Sequence, residues 1–405
     1  MKIKNIIIVN DFNYVQGGAS KVAIETANLL SEKNKYNIYF FSGCSNDEKS
    51  LNDKVIDVCY NLKENLEDNH KVVGAFRGIY NLTAKKEFKK LLNTLNSDET
   101  IIHVHGWTKV LSSSIFSIAR KKHFKTVLTL HDYFYACPNG SFFNYNKNTV
   151  CGKKPMSLGC LFCKCDSRNI FFKLYRYFRQ IVQNSVFKKS VKNIITISNF
   201  QEDILNKYFK KNVDVIRINN PIDLDNNKEK IDITKNDYYL FVGRLTRGKG
   251  ADVFCKALNN LGKKGVVVGS GEKLDELKEK YPDIDFVGWK NATEVKQYMK
   301  NAKALIFPSV WYEAAPLTTL EAMQYGVPCI CSSCCAAIEH INNKTGLSFN
   351  PYIDGDLERA IIKYEKMDIK ELSNSCYDYC DNLANDFVNK TIKFYKKVID
   401  NNGKK

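Results

Sequence analysis

Short, unbroken apolar runs rich in Val and Ile alternate along the chain with segments whose apolar residues recur every three or four positions. "NIIIVND" runs into "VQGGAS" and then "KVAIETANLL", where Val22, Ala23, Thr26, Ala27 and Leu30 lie at helical spacing. In the second half "DYYLFVGRL" runs into "TRGKG" and then "ADVFCKALNNL", with Val253, Ala257 and Leu261 on one face. Each is the opening strand–turn–helix unit of a doubly wound α/β domain. "TIIHVHG", "KTVLTLHD", "NIITIS", "VDVIRINN", "KGVVVGSG", "ALIFPS" and "VPCICSS" predict further strands, apolar enough to be buried on both faces. The polar, Asn-rich "IDLDNNKEKIDITKND" reads as an interdomain connection, with the boundary near residue 222. This gives one domain over 1–222, a second over 223–384, and an amphipathic helix over 385–405 in which Val388, Ile392, Tyr395 and Ile399 share a face. The simplest dock for that helix is its own domain. Two such domains whose strand ends face each other leave a cleft, and ligands bind at those ends.

Composition narrows the class. A chain of 405 residues with 44% hydrophobic content can build two cores, which argues against disorder. "MKIKNIIIVNDFN" turns polar without a small-residue cleavage site, so it reads as a first strand rather than a signal peptide. No apolar run approaches the roughly 18 residues of a membrane span, and the expectation is a cytoplasmic protein, soluble or peripheral on the inner face of the cell membrane. There the 14 cysteines are expected as reduced thiols. The formal charge of +17 implies an anionic partner.

Candidate chemistry clusters at strand ends. In "FVGRLTRGKG", Arg244 follows a strand and Lys249 precedes a helix, so a diphosphate at that helix N-terminus would meet two cations. The spacing is not that of a P-loop. In "SVWYEAAPLTTLEAMQYGVP", Glu313 and Glu321 lie on either side of an uncharged run. Gly17 and Gly18 follow the first strand, and His131 ends the strand in "VLTLHDYF", which points it into the cleft. Of His103 and His105, which alternate along "HVHGW", His105 is favoured as an acceptor-side residue.

"FVGRLTRGKG", "VVGSGEKLDELKEKYPDIDFVGW" and "AKALIFPSVWYEAAPLTTLEAMQYGVPCICSS", in that order over residues 238–345, resemble the C-terminal half of the retaining, glycogen-synthase-like glycosyltransferases, glycosyltransferase family four. The resemblance implies the GT-B fold, two doubly wound Rossmann-like domains facing across a cleft. It implies a nucleoside-diphosphate sugar donor, with Glu313 facing the sugar, Glu321 on the ribose and Arg244 and Lys249 on the diphosphate. Leu317 and Thr318 fall in the same donor segment, and Gly17 and Gly18 match a loop that approaches the diphosphate. His131 and Asp132 match a His-Asp near the transferred sugar. The two cations would stabilise the leaving group with no catalytic cofactor. "EAAPLTT" stands where the family commonly has Glu-Pro/Gly-Phe-Gly, which leaves the sugar open.

Two segments lie outside that pattern. Cys137, Cys151, Cys160 and Cys165, with Cys163 as an alternative ligand, crowd an insertion over 137–169 and could hold one structural zinc; packed, reduced thiols are the other reading. In "NIFFKLYRYFRQIVQNSVFKKSVKN", Phe171, Phe172, Leu174, Tyr175 and Phe178 interleave with Lys173, Arg176 and Arg179, which suits an anionic membrane surface or a core-packed helix with a solvated basic face. No nucleic-acid recognition motif accompanies the charge. The reading is a metal-independent hexosyltransferase acting on a glycan or lipid-linked acceptor in surface polysaccharide synthesis. A GT-B sugar-nucleotide epimerase and a noncatalytic, zinc-stapled lipid-binding protein remain as alternatives.

Overall fold

The computed structural model describes residues 2–47, 49–62, 71–222, 229–383 and 386–400. The first domain is built on β1 (Asn5–Phe12), β2 (Asn37–Cys44), β3 (Val55–Cys59), β4 (Thr100–Val104) and β5 (Lys125–Thr129). A small hairpin follows, β6 (Phe143–Asn144) and β7 (Thr149–Val150), before β8 (Asn193–Thr196) and β9 (Asp214–Arg217). The second domain holds β10 (Tyr238–Val242), β11 (Gly265–Val268), β12 (Asp285–Gly288), β13 (Ala302–Phe307), β14 (Cys329–Ser332) and β15 (Gly346–Phe349). The sheet orders are β3-β2-β1-β4-β5-β8-β9 and β12-β11-β10-β13-β14-β15. Both sheets are parallel throughout, as expected for strands with no polar face.

Alternation along each strand divides the apolar residues between two helical layers. Ile7, Val9, Ile102 and Leu128 meet Phe88, Leu91 and Phe116 on one side of the first sheet. Ile6, Ile8, Ile101 and Val127 meet Ala23, Ala27 and Leu30 of the helix Gly18–Glu32 on the other. Side-chain caps start many of the helices: Asn81 accepts from the Ala84 N–H, Asn169 from Phe172, and Asn291 forms a capping box with Glu294.

The C-terminal helix, Phe387–Asp400, does not pack on its own domain as the simplest reading had it. Val388, Phe394, Tyr395, Val398 and Ile399 close the second face of the first sheet. Tyr395 reaches His103, whose two ring nitrogens lie 2.6 Å from the hydroxyls of Tyr395 and Thr129.

The helix after the insertion, Ile170–Ser190, reverses its expected sidedness. Lys173 and Arg179 point inward and are buried, while Phe171 and Phe178 are 76% and 56% exposed. No helix among the described residues is long and apolar enough to cross a membrane.

Candidate active site

A cleft of about 590 Å³ lies where the C-terminal ends of β1, β4 and β5 face those of β10 and β13. From the first domain it is lined by Gly17, Gly18, His105, His131 and Asp132, and from the second by Arg244, Lys249, Glu313, Leu317 and Thr318. Gly17 and Gly18 begin the helix Gly18–Glu32, so its N–H groups open toward the cleft. Glu321 is placed differently. It lines an adjoining cavity with Lys21 and Gln324, and its carboxylate is ion-paired with the Lys21 ammonium, joining the two domains. Ser198 Oγ adds a second bridge to the Ala314 carbonyl at 2.5 Å, and the backbone N–H of Phe200 a third to Glu339 at 2.6 Å.

On the second-domain wall, Glu313 is held by one oxygen. Its Oε1 accepts from Lys249 Nζ at 2.6 Å, from Ser309 Oγ at 3.1 Å and from the Trp311 indole N–H. Gly248 and Gly250 give the loop its shape. Gly250 sits at φ +75°, where a Cβ would meet the Pro308 carbonyl, and Gly248 at φ +95°, where a Cβ would lie 2.6 Å from the Trp311 ring. Arg244 is exposed on this wall.

The first-domain wall is built from desolvated groups. His105 Nδ1 and His131 Nε2 are 2.9 Å apart, and His105 Nε2 is buried with no partner among the described residues. Burial lowers both pKa values, that of His131 to about 4 and that of His105 well below its ordinary value, so both rings are neutral near pH 7. Burial raises Asp132 to about 6 despite the N–H it accepts from Phe134. Sequence reasoning missed Asp11, which lies one residue before the end of β1, is 4% exposed and accepts the N–H groups of Lys109, Val110 and Leu111 at 2.9–3.0 Å. Its strand-end position is the same signal that marked His131. Trp311 and Ser309 were missed as well, although both flank Glu313 in sequence.

The insertion cysteines, expected either as zinc ligands or as packed, reduced thiols, are Cys137, Cys151, Cys160, Cys163 and Cys165. No three His, Cys, Asp or Glu side chains among the described residues converge to hold a metal. None of the 14 cysteines forms a disulfide, and in the insertion an ammonium stands among the thiols: Lys173 Nζ is 3.3 Å from Cys160 Sγ and also bonds the Cys165 thiol. Cys137 bonds Asn139 at 3.0 Å, and Cys151 pairs with Cys163. The five thiols neighbour one another: Cys151 lies by Cys160 and Cys163, Cys137 by Cys160, and Cys165 by Cys163 and Cys137, with Lys173 shared among them.

Two parallel-sheet domains thus bring a helix N-terminus, two cations and an acid to one cleft. Residues 16–226 match the model described as Glycosyltransferase Family 4, and residues 223–382 match that described as Glycosyl transferases group 1. The chain belongs to glycosyltransferase family 4 and has the GT-B fold. It is 34% identical over 135 residues to a glycogen synthase of Thermodesulfovibrio yellowstonii, covering 31% of this chain and 27% of that one. It is 35% identical over 122 residues to the UDP-Gal:alpha-D-GlcNAc-diphosphoundecaprenol alpha-1,3-galactosyltransferase of Escherichia coli, covering 26% and 31%. The chain thus spans about a third of the length of these curated relatives. Among solved structures, a sucrose-phosphate synthase from Thermosynechococcus elongatus superposes with a TM-score of 0.68 at 15% identity over 98% of this chain and 99% of that one. The Anabaena protein HepE in complex with UDP-glucose does so at 0.63 and 12%, over 98% and 99%.

Proposed function

We propose that this chain is a retaining, metal-independent glycosyltransferase that moves a hexose from a nucleoside-diphosphate sugar to a hydroxyl of a glycan or lipid-linked acceptor in surface polysaccharide synthesis. The observation that carries it is the pairing across one cleft of Arg244, Lys249 and Glu313 with the helix N-terminus at Gly17–Gly18. A diphosphate in that position meets two cations and a positive helix end. When the bond to the sugar breaks, negative charge grows on the phosphate, and the cations stabilise it there. The departing phosphate can take the acceptor's proton on the same face of the sugar. The neutral His105–His131 pair and the Asp132 carboxyl are then left to hydrogen-bond hydroxyls of the sugar and acceptor. A diphospho-lipid acceptor is supported by what the galactosyltransferase relative is named for.

In a donor-hydrolysis and transfer assay with UDP- and GDP-sugars, Arg244→Ala and Glu313→Gln should each lower the rate about a hundredfold, and EDTA should leave it unchanged. Full activity in both variants removes the reading, and product formed without any acceptor replaces it with an epimerase.

The proposal places the enzyme on a membrane surface through the exposed face of Ile170–Ser190. Ile170, Phe171, Phe178 and Ile181 are exposed on one stripe, beside exposed Leu158 and Phe162 of the insertion. Residues 139–193 hold Asp166 as their single acid, and it is buried and paired with Arg176, against eleven Lys and Arg, of which Lys173 and Arg179 point inward. Such a face suits an anionic interface. The protein should co-float with vesicles containing phosphatidylglycerol and not with neutral phosphatidylcholine ones, and Phe171→Ser/Phe178→Ser should abolish the difference; equal flotation of variant and parent rejects this placement.

A further inference from the structure

The cysteine-bearing insertion belongs to the first domain, yet its hairpin reaches the second. Phe143 and Tyr145 set their edges on the Trp311 ring, with centroids 6.1 and 6.0 Å away and planes at 88° and 86°. The Val150 N–H donates to the Tyr352 hydroxyl at 3.0 Å, and that hydroxyl donates to the Val310 carbonyl, one residue before Trp311. Gly248 leaves room for the indole by having no side chain, and the Lys249 ammonium stands 5.4 Å from the ring centroid. The indole is therefore seated by contacts from both domains, and the one polar atom it has, Nε1–H, is spent on Glu313 Oε1. With Lys249 and Ser309 on that same oxygen, it carries three donors. Glu313 Oε2 accepts no hydrogen bond among the described residues, and Glu313 lines the cleft.

We propose that the insertion of the first domain positions the sugar-facing acid of the second: Phe143 and Tyr145 seat Trp311, and Trp311 fixes Glu313 so that Oε2 alone is offered to a hydroxyl of the donor sugar. The inference rests on the reading of Glu313 as the acid that faces the sugar. A carboxylate with one oxygen saturated cannot rotate without breaking three bonds, so its remaining acceptor has a fixed direction. Trp311 is a positioning residue in this scheme, since it acts on the donor only through Glu313. The bare nucleoside diphosphate lacks the hydroxyl that Oε2 would read, so the effect is confined to the intact sugar nucleotide. The identity of the sugar is then set in part by a segment that lies about 170 residues upstream, in the other domain.

The test uses isothermal titration of the full chain with UDP-glucose, UDP-galactose, UDP-N-acetylglucosamine and GDP-mannose, each against UDP or GDP. Trp311→Phe keeps a ring and removes the N–H. It should weaken the best-bound sugar nucleotide about tenfold and leave its nucleoside diphosphate unchanged. Tyr145→Leu, which leaves the indole N–H in place but loosens its seat, should act in the same direction and less. On a Glu313→Ala background Trp311→Phe should add nothing. Thermal melts of each variant confirm that the fold is kept. A Trp311→Phe protein that discriminates sugar nucleotide from diphosphate as the parent does overturns the positioning role alone. Equal weakening of both ligands also overturns it, because it marks a structural part. A parent protein that binds no sugar nucleotide removes the functional reading and this inference with it.

Discussion

The two walls of the cleft begin with the same strand–glycine–helix unit and use it in opposite ways. At the first-domain wall Gly17 sits in extended backbone, φ 169°, with nothing near its missing Cβ, so the glycines leave open space in front of a helix N-terminus. At the second-domain wall Gly248 and Gly250 are jammed: both have positive φ, one under an indole and the other against a carbonyl. The polar groups differ in the same sense. On the first wall burial keeps the histidines neutral and raises the Asp132 carboxyl to about 6, whereas the second wall holds Lys249 and Glu313 in an ion pair. A glycine motif in sequence therefore does not say whether it makes room or makes a joint. Of the groups that would meet a diphosphate, Arg244 and Lys249 lie on the second wall and the helix N-terminus at Gly17–Gly18 on the first.

The largest expected effect tests the joint. Gly250→Ala puts a methyl into the Pro308 carbonyl at a positive φ and should cost about 3 kcal/mol or more in urea denaturation. Gly17→Ala, by contrast, should stay within about 0.5 kcal/mol. Similar losses at both positions would erase the distinction between the two loops.

A smaller effect tests the discharged wall. His103 and His131 have folded pKa values of about 3 and about 4, and His105 is also lowered, against an ordinary value of 6.5. As pH falls below 6.5 the unfolded chain takes up protons that the folded chain refuses, so stability is lost by up to about 1.4 kcal/mol per pH unit for each histidine. Asp132 opposes this below pH 6, because its raised pKa lets the folded state hold a proton that the unfolded state releases down to its ordinary 3.8. The three imidazoles outweigh it. Denaturation midpoints should fall between pH 7 and pH 5, and His131→Asn should flatten that slope. A midpoint that is level or rises on acidification would show that these rings are solvated and charged.

The legibility of the chain followed how local each interaction is. Nine strands of the two sheets could be read from apolar runs, because strands buried on two faces carry their signal in consecutive residues; β2, β3, β12 and β15 were not read. Arg244, Lys249 and Glu313 were readable for the same reason: each sits within a few residues of a strand end. What escaped depends on partners far off in sequence. Asp11 matters because the turn at Lys109–Leu111 folds its N–H groups back onto the carboxylate. Trp311 matters because a hairpin of the other domain seats it. Lys173 was counted among the cations of a basic helix face, yet the thiols around it draw it inward. Helical spacing in residues 385–405 announced a buried face without saying which surface would cover it; residues 401–405 and 384–385 lie outside the described part.

The return of Phe387–Asp400 to the first sheet means that the polypeptide passes between the lobes twice, once beyond Ile222 and again ahead of Phe387. Removing that returning helix would uncover the hydrophobic back of the first sheet, since Val388, Phe394, Tyr395, Val398 and Ile399 are what cover it.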